Sequence, residues 1–336
     1  METRTMDEAA RLLGLINANW STQAIGAAAE LGIADHLHAA PSDAAQLAEA
    51  TGCDAGSLGR LLRALASIGI CSEGPDGRYR LEPAGGLLRD GDEPSLRSWA
   101  IWSARCQWDV WGRLLDSVRS GRSVRNLLTS REGYAHLEAQ PEAASVFNRA
   151  MVDMTRFVAA SVRDSYEFSR CGRVVDVGGG HGELLLTILA ANENVRGAIV
   201  DLPHARAGAL AAIARAGLDS RCEFVAADFF QTLPDADTYI LKSILHNWDD
   251  ARAAEILRRC RGKVLLVERL MPDRPTASVA DQIVVRGDLN MMVGLGGRER
   301  TLAEFDRLAA SARFRRVRQC SIAFGYSLIE LDPEAP

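Results

Sequence analysis

A glycine-rich turn is the first candidate for chemistry in this chain. Residues 174–182 read VVDVGGGHG, an apolar run that contains Asp176 and leads into a turn made almost entirely of glycine. Glycine leaves backbone N–H groups free to meet a ligand at the start of a following helix. The spacing departs from the G-x-G-x-x-G of dinucleotide sites and lacks the G-K-[ST] ending of a P-loop. The turn therefore predicts a nucleotide-like cofactor, with NAD and ATP disfavoured.

Two more acidic residues follow apolar runs further along the chain. Asp201 ends the run AIVD (198–201), nineteen residues after Gly182, and Asp228 and Phe229 lie in AADFF (226–230). A carboxylate at Asp201 can accept both ribose hydroxyls of an adenosine. Asp228 can accept the adenine amino group while the neighbouring phenyl ring covers the adenine. Each acid alone is also a candidate helix cap, but three acids at strand ends favour a binding site.

A histidine after a later apolar run is the candidate base. The segment LKSILHNWDD (241–250) places His246 just beyond a predicted strand. A neutral imidazole can accept the proton of a hydroxyl group. A phenol has a pKa near 10, so roughly one molecule in a thousand is ionised at neutral pH, and a placed base raises the rate by about 10²–10⁴. This segment predicts proton transfer from an acceptor hydroxyl.

Apolar runs alternate with helical patterns from residue 170 onward, and these elements must position the groups above. We predict strands over 173–177, 198–201, 222–227, 238–242 and 263–268, two final strands near 314–330, and helices near 183–191, 204–216, 250–261 and 301–312. Such alternation indicates an α/β fold with a Rossmann-like, doubly wound sheet of seven strands. Ligands bind at the carboxyl ends of such strands, where all three acids lie.

The first 95 residues predict a separate, mostly helical domain. Helical spacing over 43–50 and 57–65 precedes the turn GPDG (74–77) and the run RYRL (78–81), which is a winged-helix pattern. Residues 1–95 hold 7 Arg and no Lys against 14 acidic residues, whereas a DNA-reading surface should be basic. We therefore predict a dimerisation domain that binds no nucleic acid. The small residues of AIGAAAELGI (24–33) suit close helix packing across a two-fold interface.

Residues 96–169 predict a helical linker rich in aromatic side chains. Four of the six tryptophans lie within thirteen positions of this segment. Aromatic and methionine residues at helical spacing are typical of core packing. The alternative is a pocket for a flat aromatic substrate, with walls formed by Trp102, Phe147, Met151 and Met154. The remaining residues, 170–336, form the predicted catalytic domain.

Composition sets the outer limits. With 336 residues, 47% of them hydrophobic, the chain can bury one large core and a smaller one. The net charge of −5 disfavours a polyanionic partner. The first residues show no secretion signal, and no apolar stretch approaches the roughly 20 residues of a membrane span, so we expect a cytoplasmic protein. Seven cysteines without a C-x-x-C pair predict neither a disulfide framework nor a zinc site.

Taken in order, these motifs resemble those of the caffeate-type small-molecule O-methyltransferases. The matching segments are VVDVGGGHG, DLPH (201–204), AADFF, LKSILHNWDD and GGRERT (296–301), and the resemblance covers nearly the whole chain. The family uses S-adenosyl-L-methionine (SAM), releases S-adenosyl-L-homocysteine, and includes plant phenylpropanoid enzymes and bacterial antibiotic-tailoring enzymes. The resemblance implies a homodimeric enzyme that methylates a hydroxyl group of a small aromatic molecule.

The resemblance also implies roles for individual residues. His246 matches the catalytic base, and Glu268 and Glu299 match two acids that orient it. The implied cofactor residues are Asp176, Gly178, Gly180, Asp201, Leu202, Asp228, Phe229 and Lys242. The substrate residues named above are joined by Asn247, Asn290 and Met291. The sequence shows no carboxylate cluster of the magnesium-dependent kind, so we expect no metal.

Other activities of the same fold remain as alternatives. Bacterial relatives methylate nitrogen or carbon, and some use SAM for hydroxylation or decarboxylation without methyl transfer. The presence of His246 favours oxygen, because an amine with a free lone pair needs less help from a base. A winged-helix regulator with a small-molecule sensor domain is a third alternative, which the acidic N-terminal charge disfavours.

Overall fold

The computed structural model describes residues 2–91, 94–131 and 133–334. The chain divides into two compact units, residues 1–108 and 109–336. Within the described residues, no helix combines the length and apolar character needed to cross a membrane.

The first unit is helical apart from one hairpin. Its helices are α1 (Glu2–Ile16), α2 (Ala18–Glu30), α3 (Ile33–Ala39), α4 (Ala44–Thr51), α5 (Ala55–Ser67), α6 (Pro83–Gly86) and α7 (Arg97–Ile101), and a π-helical turn follows over Trp102–Cys106. Strands β1 (Cys71–Glu73) and β2 (Tyr79–Leu81) pair antiparallel around the predicted GPDG turn. Helices followed by a hairpin confirm the predicted winged-helix arrangement.

Local capping explains where two helices of this unit begin. The Asp43 side chain accepts from the Gln46 N–H while the Gln46 side chain accepts from the Asp43 N–H, a capping box that starts α4. Asp54 caps α5 by accepting from the Ser57 N–H at 2.8 Å. Both helices then bury leucines in one small core, including Leu47 on α4.

The small residues of α2 serve packing inside this unit. A Cβ on Gly26 would lie 2.2 Å from the Ala104 Cβ, so only glycine allows this approach. Ala28 and Ala29 are also buried. Several large apolar side chains of α1 and α2 remain exposed instead: Met6, Leu12, Leu13, Leu15, Ile16 and Trp20. The apolar surface left free on these helices is therefore separate from the stretch 24–33 that the sequence favoured for an interface.

The second unit is built on a seven-stranded sheet. Its strands are β3 (Arg173–Val177), β4 (Arg196–Asp201), β5 (Cys222–Ala226), β6 (Thr238–Lys242), β7 (Lys263–Glu268), β8 (Phe314–Ser321) and β9 (Ser327–Pro333). Their order is β5-β4-β3-β6-β7-β9-β8. The first five strands run parallel, and β9 and β8 complete the sheet in antiparallel pairing. This confirms the predicted fold class and the number of strands.

Helices cover both faces of the sheet. The helices from residue 108 onward are α8 (Trp108–Trp111), α9 (Leu114–Ser120), α10 (Val124–Thr129), α11 (Pro141–Arg156), α12 (Ala159–Ser165), α13 (Glu183–Ala191), α14 (Arg206–Arg215), α15 (Asp250–Arg259), α16 (Val279–Gly294) and α17 (Leu302–Ser311). One apolar core contains α12, α13 and α14, and the other contains α15 and α17. Because the central strands are buried on both faces, they read as continuous apolar runs.

Helix α16 is the element that the sequence analysis missed. Ser278 caps it by accepting from the Asp281 N–H at 3.1 Å. Its sequence, VADQIVVRGDLNMMVG, contains a β-branched run and an internal glycine, so its helical periodicity is weak. Only three of its side chains are buried, which explains why no apolar stripe marked it.

Candidate active site

The glycine turn after β3 adopts backbone conformations that favour glycine. Gly178, Gly180 and Gly182 have φ angles of 68°, 58° and 83°. A Cβ on Gly178 would lie 2.4 Å from the Ile244 Cδ1 atom, and one on Gly182 would lie 2.2 Å from the Ile199 Cδ1 atom. A Cβ on Gly180, by contrast, would have no neighbouring atom within 4 Å. The turn therefore packs tightly against the sheet on one side and leaves open space at its tip.

The acid at the end of β4 fastens this turn to the sheet. The Gly180 N–H donates to Asp201 Oδ2 at 2.7 Å, and the Leu202 N–H donates to Oδ1 at 2.6 Å. Burial raises the pKa of Asp201, and these two N–H groups oppose the rise. Each carboxylate oxygen still has a lone pair for a ligand hydroxyl.

The other two acids differ in how far they are buried. Asp176 on β3 is buried, and burial raises its pKa to about 7, with the positive charge of Lys242 opposing the rise. Asp228 is half-buried after β5, and its Oδ1 accepts from the Phe230 N–H at 2.9 Å. The Asp228 contact is a local turn, so only one of its oxygens is engaged by the backbone.

A cavity of about 370 Å³ lies at the carboxyl ends of the parallel strands. All eight predicted cofactor residues line it: Asp176, Gly178, Gly180, Asp201, Leu202, Asp228, Phe229 and Lys242. One wall is an aromatic cluster in which the Phe230 and Trp248 rings meet edge-on at 4.7 Å. The guanidinium of Arg252 stacks on Phe230 at 3.6 Å. The cavity thus joins strand-end acids to flat apolar surface, as a nucleoside requires.

His246 lies on a short 3₁₀ turn, Leu245–Asn247, that follows β6. Its Nδ1 atom lies 2.9 Å from Glu299 Oε1 and 3.9 Å from Glu268 Oε2. Burial lowers the pKa of His246, but the negative charges of Glu299 and Glu268 outweigh burial and raise it to about 9. The imidazole is therefore protonated at neutral pH in the ligand-free protein, with Nδ1 donating to Glu299.

Glu268 holds the first part of the same turn. It is fully buried at the end of β7, and its Oε1 accepts from the Ile244 and Leu245 N–H groups at 3.1 and 3.0 Å. Burial raises the pKa of Glu268, while the nearby His246 lowers it. Just before the turn, Ser243 has a φ of 56°, a left-handed conformation that is strained for a residue other than glycine. This strain lies directly beside the cavity.

The three predicted catalytic residues meet behind the cavity wall. His246, Glu268 and Glu299 do not line the cavity themselves, whereas Ile244 and Asn247 on either side of the histidine do. The His246 side chain keeps 16% of its surface exposed. Ligand-type atoms of the three residues lie within 4.8 Å of one another, a spacing that also suits a metal ion. In the structure, this geometry instead supports a hydrogen bond between His246 Nδ1 and Glu299 Oε1.

The predicted substrate residues separate into two groups. Phe147, Met151 and Asn247 line the cavity. Met154 does not, because on α11 it projects about 120° away from Asn148, which faces the cavity. Asn290 and Met291 also lie outside the lining: Asn290 Oδ1 accepts from Trp111 Nε1 at 3.0 Å, and Met291 is buried on α16. Trp102 is buried within the first unit.

Sequence reasoning missed several lining residues on α11 and near it. Asn148, Val152 and Thr155 share a helix face with Met151 at spacings of three and four residues, a periodicity that could have identified them. Tyr134 also lines the cavity, and its hydroxyl donates to Asn247 Oδ1 at 3.2 Å. No local pattern marks Tyr134, because its partner is 113 positions away.

Two histidines at the cavity were likewise not assigned a role. His181 and His204 both line it. His181 packs against α14, where a Cβ on Gly208 would lie 2.2 Å from its Nε2 atom. Burial lowers the pKa of His181, and His204 adds to this. His181 is therefore a neutral, close-packed side chain at neutral pH.

Comparison with known proteins gives a consistent result. An O-methyltransferase domain family matches residues 111–315, and an O-methyltransferase dimerisation domain family matches residues 13–90. Phenazine O-methyltransferase PhzM of Lysobacter antibioticus is 39% identical over 329 residues, covering 96% of this chain and 95% of the relative. The crystal structure of LaPhzM has a TM-score of 0.90 at 38% identity, covering 97% of this chain and 99% of the other.

A solved complex shows what a related site holds. The O-methyltransferase NcsB1 from neocarzinostatin biosynthesis, in complex with SAM and 2-hydroxy-5-methyl naphthoic acid, has a TM-score of 0.78 at 31% identity, covering 93% of this chain and 96% of that one. The fold and the site thus define a SAM-dependent methyltransferase. The chain belongs to the O-methyltransferase family and carries that family's dimerisation domain. The predicted domain boundaries at residues 95 and 169 stay predictions.

Proposed function

We propose that this enzyme methylates a hydroxyl group on a small, planar aromatic acceptor, with SAM as methyl donor and His246 as general base. One observation carries the proposal. His246 Nδ1 lies 2.9 Å from Glu299 Oε1 on a turn whose residues Ile244 and Asn247 face the cavity. A histidine whose inner nitrogen is held by a carboxylate can accept a proton at its outer nitrogen.

The cavity residues fit SAM. Open space beside Gly180 lets a ligand approach the backbone, and the buried Asp176 carboxylate suits the ammonium group of the methionine part. Asp201 is held by two N–H groups in a position to accept ribose hydroxyls, as the family resemblance implies. Phe229 and the neighbouring aromatic cluster offer flat surface for adenine. When bound, SAM supplies an electrophilic methyl group on a sulfonium.

His246 must lose its own proton before it can act as a base. With a pKa of about 9 in the ligand-free protein, the imidazole is mostly protonated at pH 7. A positive charge placed in the cavity disfavours the imidazolium and lowers this pKa. Neutral His246 then accepts the acceptor's hydroxyl proton at Nε2, while Nδ1–H stays bonded to Glu299. Loss of this proton would leave the acceptor oxygen as the nucleophile for the methyl group that SAM would supply, and His246 would hold the proton until it is released to solvent.

The acceptor's ring would lie along the face of α11. This wall combines Phe147, Met151 and Val152 with the neutral polar groups of Asn148 and Thr155. Tyr134 and Asn247 extend it through their hydrogen bond. Apolar walls with a few fixed polar groups are typical of sites for small ligands. The wall supports a flat, largely uncharged acceptor held by stacking and amide hydrogen bonds.

Nitrogen is the main alternative acceptor atom. An 8-amino-8-demethylriboflavin N,N-dimethyltransferase of Streptomyces davaonensis is 35% identical over 304 residues, covering 86% of this chain and 85% of the relative. The His246–Glu299 pair favours oxygen, because a hydroxyl must lose a proton and a neutral amine already has a lone pair. The same pair weighs against SAM-dependent hydroxylation or decarboxylation, which needs no base at this place.

We also propose that the enzyme works as a homodimer in the cytoplasm. The exposed apolar side chains of α1 and α2 supply surface for a two-fold contact within the matched dimerisation domain. All seven cysteines are free thiols, which fits a reducing compartment.

A labelling experiment tests the function. Purified protein is incubated with methyl-deuterated SAM and a panel of phenols, hydroxyquinones and aromatic amines, and products are analysed by mass spectrometry, with and without EDTA. We expect the label on an acceptor oxygen, unaffected by EDTA. Label on nitrogen would favour the amine alternative, and SAM binding without transfer to any acceptor would contradict the proposal.

A further inference from the structure

Arg300 is a buried charged side chain that takes no direct part in the proton transfer proposed for His246. It follows Glu299 in GGRERT, and it is 0% exposed. Arginine is almost never fully buried without partners. Its guanidinium donates from Nη1 to the Leu245 carbonyl at 2.8 Å, from Nη2 to the Trp248 carbonyl at 2.8 Å, and from Nε to Asp250 Oδ1 at 2.9 Å. Each nitrogen of the guanidinium therefore has a partner.

The two carbonyls bracket the turn that carries His246. Leu245 begins this turn, and Trp248 follows it. A single 3₁₀ turn makes few internal hydrogen bonds, and their geometry is poor. Outside groups must therefore hold it in place. Glu268 holds the N–H groups at its start, whereas Arg300 holds the carbonyls on both sides of the histidine.

The backbone next to Arg300 reinforces the same contact. We call residues 297–300 the strap. A Cβ on Gly297 would lie 2.1 Å from the His246 carbonyl oxygen, so the strap and the turn touch through their main chains. The Arg298 N–H donates to that carbonyl at 2.8 Å. Three carbonyl contacts, to Leu245, His246 and Trp248, thus come from the strap.

Arg300 also contributes charge to the cluster around His246. The cluster contains the carboxyl groups of Glu268 and Glu299, and the Tyr326 phenol, just before β9, interacts electrostatically with the histidine. The positive charge of Arg300 lowers the pKa of Glu268, against burial, which raises it. The ion-pair partner Asp250 is 62% exposed, so solvent screens much of its charge. Asp250 therefore offsets only part of the Arg300 charge.

We propose that Arg300 is a positioning residue for methyl transfer: it fixes the His246 turn through two backbone carbonyls, and its fixed charge helps His246 give up its resting proton. The inference rests on the proposed function of His246. A fixed cation disfavours any additional proton on groups near it. Removing the cation therefore raises the proton affinity of the cluster as a whole.

Three variants separate geometry from charge. Arg300→Met removes both, Arg300→Lys keeps the charge but loses the forked donor set, and Asp250→Asn removes only the charge of the exposed partner and keeps an acceptor oxygen. For each we would measure kcat against pH, the KM values, SAM affinity and the fraction of folded protein. The pH titration of the His246 imidazole would be followed by NMR without acceptor, with the His246→Gln spectrum as the assignment.

We expect Arg300→Met to lower kcat at pH 7 by at least about tenfold. We also expect the rising limb of its kcat–pH profile and the NMR titration midpoint of His246 to move to higher pH. Arg300→Lys should keep the wild-type midpoint but have a lower kcat. Asp250→Asn should resemble the wild type in both. If Arg300→Met does not fold, a wild-type kcat in Arg300→Lys would overturn the geometric part.

An unmoved midpoint in Arg300→Met, with a loss of kcat that matches the loss of folded protein, would show a purely structural role and overturn the proposal. The NMR midpoint needs no turnover. A shifted midpoint together with absence of methyl transfer in the wild type would therefore overturn the function proposed for His246, and with it the catalytic meaning of Arg300.

Discussion

The two sides of the cavity are built in opposite ways. On the cofactor side, the acids are held by backbone N–H groups close in sequence, such as Phe230 for Asp228 and Leu202 for Asp201. On the base side, His246 depends on carboxylates 22 and 53 positions away. The cofactor side is therefore a product of strand, turn and helix, whereas the base side exists only when β6, β7 and the strap meet.

Their electrostatics differ in the same sense. On the cofactor side, burial raises the pKa values of Asp176 and Asp201, and both carboxylates line a cavity that a cation can enter. On the base side, the carboxylates already have a positive partner in His246. The cofactor side is therefore suited to a charged ligand, and the base side is suited to moving a proton.

The largest expected effect comes from breaking the base side alone. His246→Gln should lower kcat by at least about 10²-fold, because the acceptor proton loses its base. SAM affinity should not fall, since His246 does not line the cavity and the variant lacks the imidazolium charge that opposes a bound cation. Stopped-flow turnover and calorimetric SAM titration would measure the two. Near-normal turnover in this variant would remove His246 from the base role.

The matched change on the cofactor side is Asp201→Asn. The amide cannot accept from both Gly180 and Leu202 and still receive a ribose hydroxyl, so SAM affinity should fall by about 10- to 100-fold, the cost of losing hydrogen bonds to a charged group. At saturating SAM, kcat should fall much less. A kcat loss as large as that of His246→Gln would contradict the division between the two sides.

The raised pKa of Asp176 predicts that SAM affinity depends on pH. Because its pKa is raised to about 7, the carboxylate is protonated below that pH and pairs poorly with an ammonium group. Titration of Asp176 alone should tighten SAM binding by up to about tenfold for each pH unit gained below pH 7, with no further gain from this group above pH 7. The effect of Asp176 on the free energy of unfolding has the opposite sign. Its contribution to stability is complete below its unfolded pKa and is lost as pH rises through about 7. Asp176→Asn should flatten the pH dependence of affinity, and an unchanged slope would assign it to another group.

The smallest expected effect tests whether Asn290 belongs to the acceptor site. Asn290→Ala removes the acceptor of the Trp111 N–H, which should cost about 1 kcal/mol and lower Tm by about 2–4 °C. The KM for the aromatic acceptor should not change. Asn148→Ala is the matched control, because Asn148 lines the cavity and its loss should raise this KM. A raised KM in Asn290→Ala would support the predicted role of Asn290 as a substrate residue.

Much of the cofactor side could be predicted from the sequence. The glycine turn, the acids at strand ends and the seven strands all follow from local patterns, because a parallel strand buried on both faces must be apolar and must end where polar groups can meet solvent. All eight predicted cofactor residues line the cavity for this reason. Helix α16 was not predicted, because it buries only three side chains and shows little helical periodicity.

Local patterns failed where distant segments meet. The direction of Met154 depends on the rotation of α11, and the Tyr134 contact with Asn247 joins positions that no periodicity connects. Family resemblance named Glu268 and Glu299, but nothing local to either residue indicated that both would lie beside His246.

The sequence by itself therefore determined the α/β class, the order of its elements and the cofactor edge of the sheet, since these depend on periodicity and on glycine's conformational freedom. Only the tertiary structure decided how His246 is held and charged. Its pKa of about 9 depends on two carboxylates, and its turn depends on a buried arginine. Charge interactions and carbonyl contacts act through space, and the chain must fold before such distances exist.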